Sequence, residues 1–168
     1  YNAYFAQLKT GYAHQLTWPL LVKYYGNESL ISSLNLYHVN MPKPLRLAEQ
    51  YLIRAEAYCR KSNWSGASAD LSALRQTRYS NGGAISVNSS NWLETISDER
   101  VRELYMEGFR LNDLKRWNKG FKRTPQSQVQ SEGSSMKVEA GNPLFVCPIP
   151  NHEIASPGSQ IQPNESNR

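Results

Sequence analysis

The sequence predicts a mostly α-helical chain: a helical hairpin, further helices and long irregular loops. Three observations predict it. Apolar and small residues recur at helical spacing over about residues 45–61 and again over about residues 65–78, as they do in helices that bury one stripe. Only the Ser62-Asn63 break separates the two runs, and so short a connection makes them antiparallel neighbours. A third periodic run begins at Trp92, whereas the chain on either side of residues 44–118 lacks helical period.

Taken in order, residues 1–40 read as loops with short aromatic elements. Tyr4, Phe5, Tyr12, Trp18, Tyr24, Tyr25 and Tyr37 crowd there, and Gly11, Pro19 and Gly26-Asn27 punctuate the segment. The first helix is expected over residues 45–61. Pro44 suits a first-turn position. Ala48, Leu52, Ala55 and Cys59 form one stripe with Tyr51 and Tyr58 beside it, and Glu56 stands one helical turn before Arg60, an ion pair of favourable order. The second helix, residues 65–78, turns Ala67, Leu71 and Leu74 inward, and the small residues Gly66, Ala67 and Ala69 allow close approach. In length this is a hairpin of the tetratricopeptide kind. One such hairpin cannot hide its apolar faces alone, so stacked neighbours are expected. Residues 79–91 form a polar loop, and Ser90 or Asn91 can cap a third helix over residues 92–107 that Gly108 ends or bends. A short helical turn follows over residues 111–118. Residues 119–142 read as an irregular excursion rich in Gln, Ser, Gly and Lys. The apolar stretch Leu144-Phe145-Val146-Cys147-Pro148-Ile149-Pro150 cannot be a central strand, because each proline lacks a ladder donor. A polar tail closes the chain. We read residues 1–168 as one region with a loop-rich aromatic segment (1–40), a helical core (44–118) and an irregular excursion and tail (119–168).

Composition excludes several classes. The chain has 168 residues, of which 39% are hydrophobic, and its aromatic residues and periodic segments argue against disorder. No apolar run approaches the ~18 residues of a membrane helix. The start has neither a basic n-region nor an apolar h-region, and no initiator Met, so the chain is expected to be a processed product or a piece of a longer one. Cys59 and Cys147 stand far apart, which is neither a disulfide framework nor a zinc signature. Both are expected as buried free thiols. The net charge is +5, and Arg110, Lys115, Arg116, Lys119, Lys122 and Arg123 crowd one stretch. A nucleic-acid patch is one reading of them. A solvated helix end is the better one, since no recognition helix, aromatic RNA-binding pair or zinc knuckle accompanies the charge. No nucleic-acid partner and no cofactor are expected.

The most informative run is residues 98–117. Glu99, Glu103 and Glu107 fall at i, i+4 and i+8 on one helix face. Like charges so spaced repel and persist only if cations answer them. Arg100, Arg110 and Arg116 are local candidates, and Arg46, Arg54, Arg75 and Arg78 are available from the first two helices. A di-metal carboxylate site would need a Glu-x-x-His partner, and His14, His38 and His152 are not so spaced. A glycosidase pair would need one carboxyl with a raised pKa, whereas arginines depress it. A structural ion-pair network fits best, built from Glu49, Arg54, Glu99, Arg100, Glu103, Glu107, Arg110, Asp113 and Arg116. We therefore expect no catalytic residue and no metal ligand. No nucleophile elbow and no phosphate-cradling glycine loop is present.

These residues carry a family likeness. Arg46-Leu47-Ala48-Glu49-Gln50-Tyr51-Leu52-Ile53-Arg54-Ala55-Glu56-Ala57 resembles the helix signature of the SusD/RagB family. The block Ile96, Glu99, Arg100, Glu103, Leu104, Glu107, Gly108, Arg110, Asp113, Leu114, Arg116 and Trp117 is similar to that family's most specific motif. Pro148-Ile149-Pro150, Glu153 and Asn164 resemble its closing motif, although the usual Gln-Asn-Pro-Gly-Tyr end is here Gln162-Pro163-Asn164-Glu165. The likeness runs over about residues 23–164. It implies a SusD-like α-helical fold, of which this chain resembles the C-terminal part.

The resemblance also implies a function. It is that of a cell-surface outer-membrane lipoprotein of a Gram-negative bacterium, anchored through lipid upstream of this portion. Such a protein binds nutrient oligomers, usually oligosaccharides and sometimes peptides, and delivers them to a SusC-type TonB-dependent transporter without breaking a bond. Sugar rings stack on flat aromatic faces, so Trp18, Tyr79 and Trp92, in or beside loops, are the candidate ligand contacts. For each of them ordinary packing is the preferred reading, and Trp64 and Trp117 read as structural. Two other readings compete: a glycoside hydrolase using carboxylates of residues 99–107, and a helical-repeat adaptor that binds only protein.

Overall fold

The computed structural model describes residues 43–123, 137–158 and 160–167, together with Lys23 and the backbone of residues 5–9 and 17–21. The chain divides into two compact units, Tyr1–Arg46 and Leu47–Arg168. In the first unit, β1 (Phe5–Lys9) pairs antiparallel with β2 (Thr17–Leu21), with Phe5 opposite Leu21 and Lys9 opposite Thr17. Within residues 1–40, read from sequence as loops with short aromatic elements, two of those elements are these strands. Neither strand alternates strictly in polarity, and Pro19 sits inside β2. A two-stranded ribbon is all edge, where proline is tolerated.

The second unit is mostly helical. α1 (Leu47–Arg60) and α2 (Trp64–Gln76) form the hairpin, and α3 (Trp92–Glu103) packs on α1. Ser62 takes a left-handed φ of 56° and ends α1. The Asn63 side chain then accepts from the Gly66 N–H at 3.0 Å, capping α2. A Cβ on Gly66 would lie 3.0 Å from a ring carbon of Tyr58, so the helices meet where glycine lets them. Leu52, Leu71 and Ile96 are the largest fully buried side chains and centre the core of this unit. Both Ser68 and Ser72 use their hydroxyls to stitch the polar loop along α2: Ser68 Oγ accepts from Val87 N–H, and Ser72 Oγ accepts from Ile85 N–H. Val87 is thereby buried in the core. Asn91 stands at the start of α3 but makes no cap bond with its side chain, which accepts from Asn88 N–H instead.

α3 stops at Glu103, four residues before the expected end. The chain turns through Leu104, Met106 at φ 61° and Gly108 at φ 83°, and α4 (Arg110–Trp117) follows. Tertiary pairing overrides helix propensity here: Leu104 is buried at the bend, and the reversal brings Asp113 back to Arg100. Asn118, left-handed at φ 50°, closes α4. The expected irregular excursion contains a short ladder, β3 (Phe121–Lys122) with β4 (Lys137–Val138). Leu114, Val138 and Phe145 form a second, smaller core, with Phe121 packed on it and edge-to-face with Phe145 at 6.3 Å. A 3-10 turn (Pro143–Phe145), α5 (Asn151–Ile154) and a 3-10 turn (Glu165–Asn167) complete the unit. The Asn167 carboxamide grips Ile149, accepting from its N–H at 3.0 Å and donating to its carbonyl at 2.8 Å. Asn164 donates to the Cys147 carbonyl. The two parts of the closing motif thus meet. Cys59 is buried, whereas Cys147 is exposed, contrary to expectation.

Candidate functional site

The charged motif residues converge on a chain of arginines and carboxylates that ties α1, α3 and α4 together. Glu56, 5% exposed, sits on α1 within its buried stripe. Its Oε1 accepts from Arg60 Nη2 at 2.9 Å, Arg116 Nη1 at 2.5 Å and Trp117 Nε1 at 3.0 Å. Arg116 also donates from Nε and Nη2 to Asp113 Oδ1 at 3.0 Å. Asp113 Oδ2 accepts from the buried Arg100 Nε at 2.7 Å, and Arg100 approaches Glu49 at 3.9 Å. The remaining pairs flank this chain. Arg75 meets Glu99 at 2.5 Å, and Arg102 meets the same oxygen at 2.6 Å. Arg78 grips Glu103 with both Nε and Nη2 at 2.9 Å. Arg54 does the same to Asp70, at 2.8 and 2.7 Å.

The site residues named from sequence are placed unequally. Glu49, Arg100, Asp113 and Arg116 share the central chain, while Arg54, Glu99 and Glu103 join separate pairs. Glu107 lies past the end of α3, so it is not the third rung of one helix face. Arg110 donates to the Ser97 hydroxyl at 2.9 Å rather than to a carboxylate. Sequence reasoning missed Glu56 as the hub, and missed Asp70 and the Trp117 N–H altogether. The signal for Glu56 was a carboxylate interrupting the stripe of Ala48, Leu52, Ala55 and Cys59.

Electrostatically the network holds Glu56 ionised. Burial works to raise the Glu56 pKa, but the donors on Arg116, Trp117 and Arg60 outweigh it and hold the carboxyl at about 2. Burial likewise opposes the charge of Arg116, and Glu56 and Asp113 overcome it, raising its pKa. Burial and the nearby Glu56 charge push the Cys59 thiol up. Acids held this way make poor proton donors at neutral pH. Among the described residues no group of His, Cys, Asp and Glu is arranged to hold a metal ion, and no helix is long and apolar enough to cross a membrane.

Of the aromatic candidates, Tyr79 is half-buried, with the Arg75 guanidinium 4.7 Å from its ring centre. Trp92 packs against the core, with Arg60 5.6 Å over its ring. Trp18 lies on β2 opposite Leu8, and its side chain is outside the described residues. Trp64 packs on the core, and Trp117 is buried in it.

The SusD family model matches residues 1–162. The chain belongs to the SusD family. That match begins upstream of the motif likeness and takes in both strands of the ribbon as well as the helices. SusD-family proteins are generally non-catalytic binding proteins, associated with nutrients and glycans at the cell surface and with SusC-type transporters. No match to the chain is found among curated proteins or among solved structures. In this SusD-family chain the most specific motif is the arginine–carboxylate network itself: Glu99, Arg100, Glu103, Asp113 and Arg116 pair with one another or with α1 and α2.

Proposed function

We propose that this SusD-family chain serves non-catalytic capture of nutrient oligomers, glycans first among them, at the surface of a Gram-negative outer membrane. A lipid anchor would hold the protein there, and a SusC-type TonB-dependent transporter would take the ligand. The observation that carries the reading is the family match over residues 1–162. The chemistry of the network agrees with it, since carboxylates bound by several arginines specify helix packing rather than transfer protons. Trp18, Tyr79 and Trp92 stay the candidate sugar-stacking residues.

The test pairs a binding screen with one substitution. Calorimetric titration of the native full-length protein with oligosaccharides and peptides should find a ligand, and affinity purification from detergent-solubilised membranes should bring down a TonB-dependent transporter. Glu103→Gln removes the charge that Arg78 grips at 2.9 Å. It should cost about 2–3 kcal/mol and several degrees of Tm, with ligand affinity kept in the folded fraction. Turnover of a glycan that this substitution abolishes in a fully stable protein would sink the reading in favour of a hydrolase. A protein that binds other proteins but no saccharide or peptide would favour an adaptor.

A further inference from the structure

Beside the network lies an open cleft of about 710 Å³, bordered by the end of α3, α4 and β3. Leu104, Phe109, Leu114 and Phe121 line it, and its lip carries exposed apolar side chains, Met106 at 65% and Leu111 at 48%. The polar lining is largely cationic. Lys122 and Arg123 are exposed at one end, with the Arg123 guanidinium 5.2 Å over the Phe121 ring, and Arg110 stands on the same cleft. Among the described residues no carboxylate lies within ion-pair reach of Lys122, Arg123 or Arg110. Asp113 is the acid in the lining, and Arg100 and Arg116 already hold it. Arg100, 5% exposed, supplies a second observation: its Nη1 is buried with no acceptor among the described residues, and Arg100 lines the cleft.

An apolar trough with unanswered cations is complementary to a chain that carries both apolar side chains and carboxylates. We propose that this cleft receives a segment of another polypeptide in which apolar residues alternate with Asp or Glu. The apolar side chains fill the trough, and carboxylates meet Lys122 and Arg123. A second copy of this chain suits the cleft less well, because its matching face brings the same cations and the whole chain is basic at +5. This interaction is separate from nutrient capture and does not depend on it.

The test titrates the full chain with a short fluorescent peptide that alternates leucine and glutamate, with its leucine–lysine counterpart, and with phosphatidylglycerol vesicles. The glutamate peptide should bind saturably, and the lysine peptide should not. The double variant Lys122→Glu, Arg123→Glu should weaken binding about tenfold or more, and added salt should weaken it too. Leu111→Ser, on the exposed lip, should weaken binding with the melting curve unchanged. The proposal fails if both peptides bind alike, if charge reversal has no effect, or if only vesicles bind. It also fails if the glutamate peptide does not bind, whether the chain instead self-associates through this face or covers the cleft with a segment of its own.

Discussion

At Glu56 one carboxylate oxygen accepts from three side chains, and that geometry sets the pH range in which the residue stabilises the fold. Its folded pKa, about 2, lies below the ordinary value of 4.5. The stability it contributes is therefore fully present above pH ~4.5 and is lost as pH falls towards 2. The shift corresponds to on the order of 3 kcal/mol. Urea midpoints followed from pH 7 down to pH 2 should fall over that window, and Glu56→Gln should flatten the fall while lowering stability at pH 7 by a similar amount. A Gln variant with the wild-type acid profile would show that other carboxylates carry the effect. The pairing of Glu56 with Arg60 was legible from their spacing alone. The partners Arg116 and Trp117 were not, because they stand 60 and 61 residues away, and spacing rules reach only along one helix.

Elements were most legible where one face is apolar over several turns. Both hairpin helices fall within two residues of their expected bounds, since Leu52, Leu71 and Leu74 mark them by period. α3 ends before the sequence pattern implies, because helix-forming residues continue through Glu107 while the turn is imposed by contacts made later in the chain. The strand pairs were missed for a related reason: a two-residue strand such as β3 carries no period. Its ladder has a steric requirement instead. A Cβ on Gly120 would collide with the Val138 carbonyl oxygen, which is backbone and cannot swing away. Gly120→Ala should therefore cost about 1–3 kcal/mol and should speed amide exchange at Phe121 and Val138. A fully stable Ala variant with a protected ladder would mean that the two strands are not held at this separation.

At the scale of the Leu47–Arg168 unit, α4 joins two cores: Trp117 is buried in the larger one and Leu114 in the smaller. Asp113, beside Leu114, holds α4 to α3 through Arg100. Asp113→Asn should leave the buried Arg100 guanidinium with only the more distant Glu49 charge and cost about 3 kcal/mol. Hydrogen exchange should show the smaller core, with β3 and β4, opening before α1–α3. Uniform loss of protection across the unit would show instead that both cores unfold as one. The family and the helical character were readable because motif residues such as Glu99, Arg100, Asp113 and Arg116 are spaced along one continuous run. Where these side chains meet α1 and α2, and the cleft beside them, depends on how the chain doubles back. The 60-residue reach from Glu56 to Arg116 also has a consequence in time. A ribosome adds roughly 5–20 residues per second, so Glu56 is made about 3–12 seconds before Arg116. Through that interval Arg60 alone answers it, and the newborn hairpin cannot settle its buried acid. The full set of donors on Glu56 can therefore assemble only after α4 has been made.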